Sequence, residues 1–229
     1  HGKTIGNYFI QTFIYPVRYK DFDEFKNGKG VIETFFEPHI QNIDMIITVS
    51  QGGAFRFDVD RFPCKNRGGF MDNMLWGNSA DGYNQENFKQ LTDGKEFYET
   101  TLPFENIVPN KNNPTDDFWV YFNQKYNEYH GGNVDNETEG IILKVKFEDI
   151  QTLKSYEGSG GDYLSNEIFY RVAKMRTEQR PTLATGHLHI PKIQEKPISF
   201  YERGNVSTED MNPKITELIA QIKTIITKI

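Results

Sequence analysis

Ser165 lies in the run Gly160-Gly161-Asp162-Tyr163-Leu164-Ser165-Asn166, a glycine-rich turn that leads into a helix-forming stretch. A hydroxyl in the first turn of a helix sits among unpaired backbone N–H groups at the positive end of the helix dipole, which favours a nucleophile or a developing oxyanion. Further along, Gly186-His187-Leu188-His189-Ile190-Pro191 reads as a short apolar strand carrying a histidine. Its imidazole could take the proton that an attacking serine must lose. Serine is equally a good helix N-cap, so the same residue also has a purely structural reading.

Bringing these groups together requires a scaffold, and the hydrophobic pattern supplies one. Apolar strands at 8–17, 43–49 and 183–190 alternate with helical patterns at 22–36, 165–176 and 213–228. That alternation predicts a three-layer α/β/α sandwich with a mostly parallel, twisted sheet. The run Met45 to Val49 is continuously apolar or β-branched, as expected of a strand covered on both faces. Gly52 and Gly53 follow it and allow a tight turn or a close backbone approach to a ligand. Residues 66–97 are polar and turn-rich, and 102–108 read as the start of a helix. Within 109–156, Phe118, Trp119, Tyr121, Phe122, Tyr126 and Tyr129 recur at near-helical spacing and predict a packed helix, while 141–147 suggest an added strand. Ile215, Leu218, Ile219, Ile222, Ile225 and Ile226 form the apolar stripe of a C-terminal helix that covers the sheet.

At 229 residues, one α/β domain spanning 1–229 is expected, large enough to bury roughly 70% of its unfolded surface. A net charge of −6 gives no electrostatic support for binding nucleic acid. No apolar run approaches the ~20 residues needed to span a bilayer, and no secretory signal is visible, so a soluble, cytoplasmic protein is expected. Cys64 is the only cysteine, which rules out an intrachain disulfide. Arg61 and Lys65 beside it could activate a thiol, but an ordinary structural cysteine is the favoured reading. Asn136 and Asn205 stand in glycosylation patterns of the kind that arise by chance. His187 and His189 are read as pointing to opposite faces of their strand, a poor geometry for holding one ion, and neither His39 nor His130 has a partner at ligand spacing. No phosphate-binding loop occurs either, so neither a metal nor a cofactor is expected.

The nucleophile and histidine segments resemble those of the pyroglutamyl peptidase I family, which run approximately S-x-G-x-[FY]-[LV]-C-N-x-x-x-Y and G-F-[IL]-H-[VI]-P. Ser159, Gly161, Tyr163, Leu164, Asn166 and Tyr170 match the first, and Gly186, Leu188, His189, Ile190 and Pro191 match the second. Tyr98-Glu99-Thr100-Thr101-Leu102-Pro103 is similar to the family's Y-x-S-T-L-P segment, and 43–53 to its central strand and Gly-Gly turn. The resemblance implies hydrolysis of the amide bond after an N-terminal pyroglutamyl residue. Ser165 would attack, His189 would be the base, Asp60 would orient it, and the Gly52–Gly53 turn would shape the pocket. It also exposes departures. The family's catalytic cysteine falls on Ser165, its catalytic glutamate falls on Asp60, and His187 replaces an apolar residue. The first apolar run aligns with the family's second strand, so a truncated sequence is expected. Oxygen for sulfur and a shorter carboxylate predict weak turnover or none. The alternative is an inactive homologue that binds a partner protein through 109–156. Ser165 as an engineered replacement for cysteine is a third reading.

Overall fold

Strand β9 (Ala184–Ile190) organises the main sheet. On one side β3 (Met45–Gln51) pairs parallel to it. On the other β4 (Phe57–Asp60) pairs antiparallel, and β5 (Val120–Asn123) extends the sheet parallel to β4. The order is β3-β9-β4-β5, and two of its three pairings are parallel. The computed structural model describes residues 1–53, 56–68, 70–76, 89–107, 120–130, 133–134, 146–192 and 215–229.

Helices cover both faces, giving the expected three layers. Helix α5 (Leu164–Gln179) lays Leu164, Val172 and Met175 over Ile46 and Leu183, with Tyr19, Phe22, Val31, Ile32 and Ile40 completing that core. Helix α6 (Ile215–Lys228) presses Leu218 and Ile225 against the opposite face, where Phe57, Val59, Val120 and Leu188 point. Each such aliphatic side chain, once buried, contributes about 1.5–3 kcal/mol. The helix predicted for 165–176, the strand predicted for 183–190 and the helix predicted for 213–228 are therefore present. Residues 211–214 lie outside the described part.

Several elements differ from expectation. The run at 8–17 contributes only β2 (Tyr8–Ile10), which forms a hairpin with β1 (Lys3–Ile5) apart from the main sheet. The helix predicted over 22–36 is split into α1 (Tyr19–Asp23) and α2 (Val31–Phe36). Asn27 at φ 54° and Gly28 at φ 72° turn the chain between them, a conformation no α-helix admits. Strand β3 stands at the edge of the described sheet. Only alternate residues such as Ile46 and Thr48 are buried, and Val49 is 49% exposed, so the strand is not covered on both faces.

The largest correction concerns the aromatic segment. Within it, Val120–Asn123 is β5, and Asn127–His130 is β6 of a small sheet with β7 (Asn133–Val134) and β8 (Ser155–Glu157). Aromatic residues also suit a pleated, half-buried surface, and the available partner β4 decided the outcome. The strand expected at 141–147 falls mostly outside the described residues, as do Asn136 and Asn205. Phe147 instead opens the short helix α4 (Phe147–Ile150). The helix start expected at 102–108 is α3 (Phe104–Ile107).

Candidate functional site

Residues two apart on a strand share a face, and residues paired in register share it too. Thr48 pairs with His187, which pairs with Asp60, and one step along Ser50 pairs with His189, which pairs with Asp58. Two rows of polar side chains therefore cross the sheet on the side that carries α5. The sequence reading placed His187 and His189 on opposite faces, and that is wrong. Their i, i+2 spacing puts both imidazoles on one face, with ring centroids 4.6 Å apart.

Each row has its own hydrogen bonding. The hydroxyl of Thr48 donates to the Gly186 carbonyl at 3.2 Å, so its oxygen is free to accept from His187 Nδ1, 2.7 Å away. With its proton on Nδ1, His187 leaves the lone pair of Nε2 to accept from Ser50, whose Oγ lies 2.9 Å away. Asp60 is fully buried and accepts from Asn123 Nδ2 at 3.0 Å through Oδ1. Its Oδ2 stands 2.8 Å from His189 Nδ1. That contact is short but poorly aligned, so Oδ2 has no well-formed hydrogen bond in spite of the distance.

These surroundings set the charges. Burial alone lowers the pKa of His189, but attraction to Asp60, assisted by Asp58, outweighs it and the net effect is to raise it. Burial, and then the charge of His189, hold His187 far below the ordinary imidazole value, so it is neutral. Asp58 is pushed up by burial, partly offset by Arg56, which donates to it at 2.6 Å.

The serine enters from the helix layer. Ser159 anchors a tight turn in which Gly158 and Gly161 bond to each other, with Gly161 at φ 82°. Ser159 Oγ accepts from the Phe62 N–H and donates to the Lys125 carbonyl. After the turn, Tyr163 is the N-cap residue of α5 and Ser165 lies in its first turn. Ser165 is therefore not the cap. Its hydroxyl donates to the Gly160 carbonyl at 3.2 Å, and among the described residues no hydrogen bond joins it to His189. Gly160 bridges the two groups. A Cβ placed on it would stand 2.8 Å from Asp60 Oδ2 and 3.3 Å from His189 Cε1, so only glycine lets the backbone approach so closely. Gly52 donates to the Ile190 carbonyl and packs against His189, where a Cβ would lie 3.2 Å from the histidine Cβ. Gly53 faces open space.

The start of α5 is clamped by charge. Arg67 and Glu167, each 1% exposed at the side chain, form a two-pronged pair at 2.6 and 2.8 Å. Arg171 shares Glu167 at 2.7 Å and reaches Glu33 and Asp23. Asn166 binds both the N–H and the carbonyl of Cys64 at 2.8 Å. Cys64 is fully buried, and burial raises its thiol pKa, which agrees with a structural cysteine and not an activated one.

Asp60 and His189 are thus brought together, while the Ser165 hydroxyl is turned to the carbonyl of Gly160, the residue packed against them. Sequence reasoning missed Thr48, Ser50, Asp58, Asn123 and Gly160. Among the described residues, no helix is long and apolar enough to cross a membrane.

Comparison with known proteins places the fold. The family model described as PA0049, C-terminal domain, matches residues 80–194, half of the chain. No curated protein matches the chain. Among solved structures, a pyrrolidone carboxyl peptidase from Thermococcus litoralis aligns with a TM-score of 0.59 at 13% identity, over 100% of this chain and 80% of that one. A mutant pyrrolidone carboxyl peptidase from Pyrococcus furiosus aligns at 0.55 and 16% identity, over 98% and 84%. At such identities the likeness is one of α/β fold.

Proposed function

The chain belongs to the PA0049 C-terminal-domain family, and from its peptidase-like fold we propose that it is a single-domain hydrolase acting slowly on N-terminal pyroglutamyl amide bonds. One observation carries the reading: a fully buried carboxylate, Asp60, stands 2.8 Å from His189 Nδ1. A buried Asp so placed orients an imidazole and stabilises its protonated form during acyl transfer. Ser165 gives its proton to His189 Nε2 as Oγ attacks the substrate carbonyl. The protonated ring then protonates the departing amine, and water, activated by the same ring, releases the acyl group. Gly52 leaves room beside His189, and the Gly52–Gly53 turn borders the pocket. The rate is low because the Ser165 hydroxyl must first leave the Gly160 carbonyl, and a displacement of ~1 Å from attack geometry costs roughly a hundredfold.

That same hydrogen bond favours a second reading, in which Ser165 holds the turn and catalysis has lapsed, leaving a protein that binds a partner through 109–156. Release of a fluorogenic amine from a pyroglutamyl amide separates the two. Turnover by the chain that disappears in Ser165→Ala supports the hydrolase. Equal rates in the two proteins, or none in the chain, Ser165→Ala and Ser165→Cys alike, refute it. Because Asp60 also stands where the family pattern has glutamate, Ser165→Cys alone is expected to recover little.

A further inference from the structure

Asp60, His187 and His189 each offer one ligand atom, and these atoms all lie within 4.8 Å of one another. We propose that the three side chains form a binding site for a transition-metal dication of the Zn2+ type. Two imidazoles and one carboxylate are a donor set such ions favour, and a fourth position is left for water or a ligand. Zinc bonds of about 2.0–2.2 Å put tetrahedral donors roughly 3.3–3.6 Å apart, so modest side-chain rotations close the set.

Three features point to a cation. Asp60 is wholly buried, yet its Oδ2 faces the two rings without a well-formed hydrogen bond. His187, also wholly buried, has its proton fixed on Nδ1 by the Thr48–Gly186 relay, so its Nε2 lone pair is available once Ser50 turns its hydroxyl away. The ring centroids stand 4.6 Å apart, and one nitrogen of each ring lies within 4.8 Å of the other and of the carboxylate. The relay through Thr48 is also how a metal-binding histidine is oriented, with the nitrogen that does not bind metal donating to a fixed acceptor. An apolar side chain occupies the position of His187 in the peptidase pattern, so the third ligand is this chain's own. Protons compete with the ion for the imidazole nitrogens, so affinity falls as pH drops.

The site does not depend on the hydrolase reading. A bound ion occupies Asp60 and His189, so metal and peptidase chemistry compete for them.

The test is a Zn2+ titration of the full chain, followed through long-range 1H–15N spectra of the imidazoles and through calorimetry. Without metal, His187 should show the Nδ1–H tautomer. One equivalent of Zn2+ should shift the ring nitrogens of both His187 and His189, each followed by its own assignment apart from the other three histidines. His187→Phe should weaken the calorimetric affinity at least about tenfold. Unchanged His187 and His189 signals in excess Zn2+, or equal affinity in His187→Phe, would overturn the site. If that variant does not fold, the spectra of the unaltered chain still decide. Amide turnover plays no part in either readout, so failure of the hydrolase proposal leaves this result standing.

Discussion

Replacing Glu167 with methionine should destabilise the fold more than replacing Arg67, its partner. In Arg67→Met, Glu167 keeps Arg171 at 2.7 Å, so the remaining buried charge is still paired. In Glu167→Met, two guanidiniums lose their shared anion. Asp23 and Glu33, with side chains 36% and 31% exposed, are left to serve them. Breaking a buried pair by removing one partner costs about 3–5 kcal/mol, and we assign that range to Glu167→Met. Arg67→Met should cost about 2–3 kcal/mol, because its loss strands no unpaired charge. At an m-value of about 3 kcal/mol/M, the urea midpoint should fall by roughly 1–1.7 M for Glu167→Met and less for Arg67→Met. The double variant should cost less than the sum of the singles, since the second change removes an already orphaned group. Equal single effects, or strict additivity, would refute the shared-anion account. A Glu167 midpoint within about 0.3 M of the parent would refute the assigned magnitude.

Gly160→Ala should cost about 1–3 kcal/mol through overpacking and should displace the His189 ring, because the new methyl meets Asp60 Oδ2 and His189 Cε1. An unchanged melting temperature and an unchanged His189 proton shift would contradict this. His187 is neutral when folded, faced by Thr48, Ser50, Asp60, His189 and the ring of Phe169. Its depressed pKa leaves stability intact above the unfolded value near 6.5, and that stability is lost as pH falls below it. His189, raised by Asp60, contributes in the opposite sense: its stabilisation is present below about 6.5 and fades as pH rises through the folded value. Urea midpoints against pH should therefore show an acid fall that flattens in His187→Phe, and an undiminished fall would exclude His187 as its source. Cys64 should resist a thiol-directed disulfide reagent in native buffer and react fully in denaturant, whereas rapid native labelling would contradict its burial.

The helical and strand periodicities of 165–176, 183–190 and 213–228 were readable because one apolar face dominates each of them. The site was readable only in part. Asp58-x-Asp60, Thr48-x-Ser50 and His187-x-His189 all carry the two-residue spacing of a shared strand face, and that signal lay open in the sequence. It was misjudged for the histidines. That the three pairs lie side by side is set by register between distant strands, which no local pattern reveals. The split of 22–36 followed from backbone conformation at Asn27 and Gly28. The strand at Val120–Asn123 followed from pairing with β4, a tertiary choice that overrode its helical spacing.

The bond between Thr48 and His187 spans 139 positions of chain. During synthesis at about 5–20 residues per second, the segment bearing Thr48, Ser50 and Asp60 waits roughly 6–28 s before the imidazoles of His187 and His189 are made. Through that interval β3 and β4 lack the strand that joins them, and Asp60 remains a hydrated carboxylate. Nascent chains arrested before residue 184 should therefore carry an open strand edge. A ribosome-associated chaperone should hold them longer than chains arrested beyond 190. The residues that define the site are also those whose assembly must wait until Ala184–Ile190 has been made.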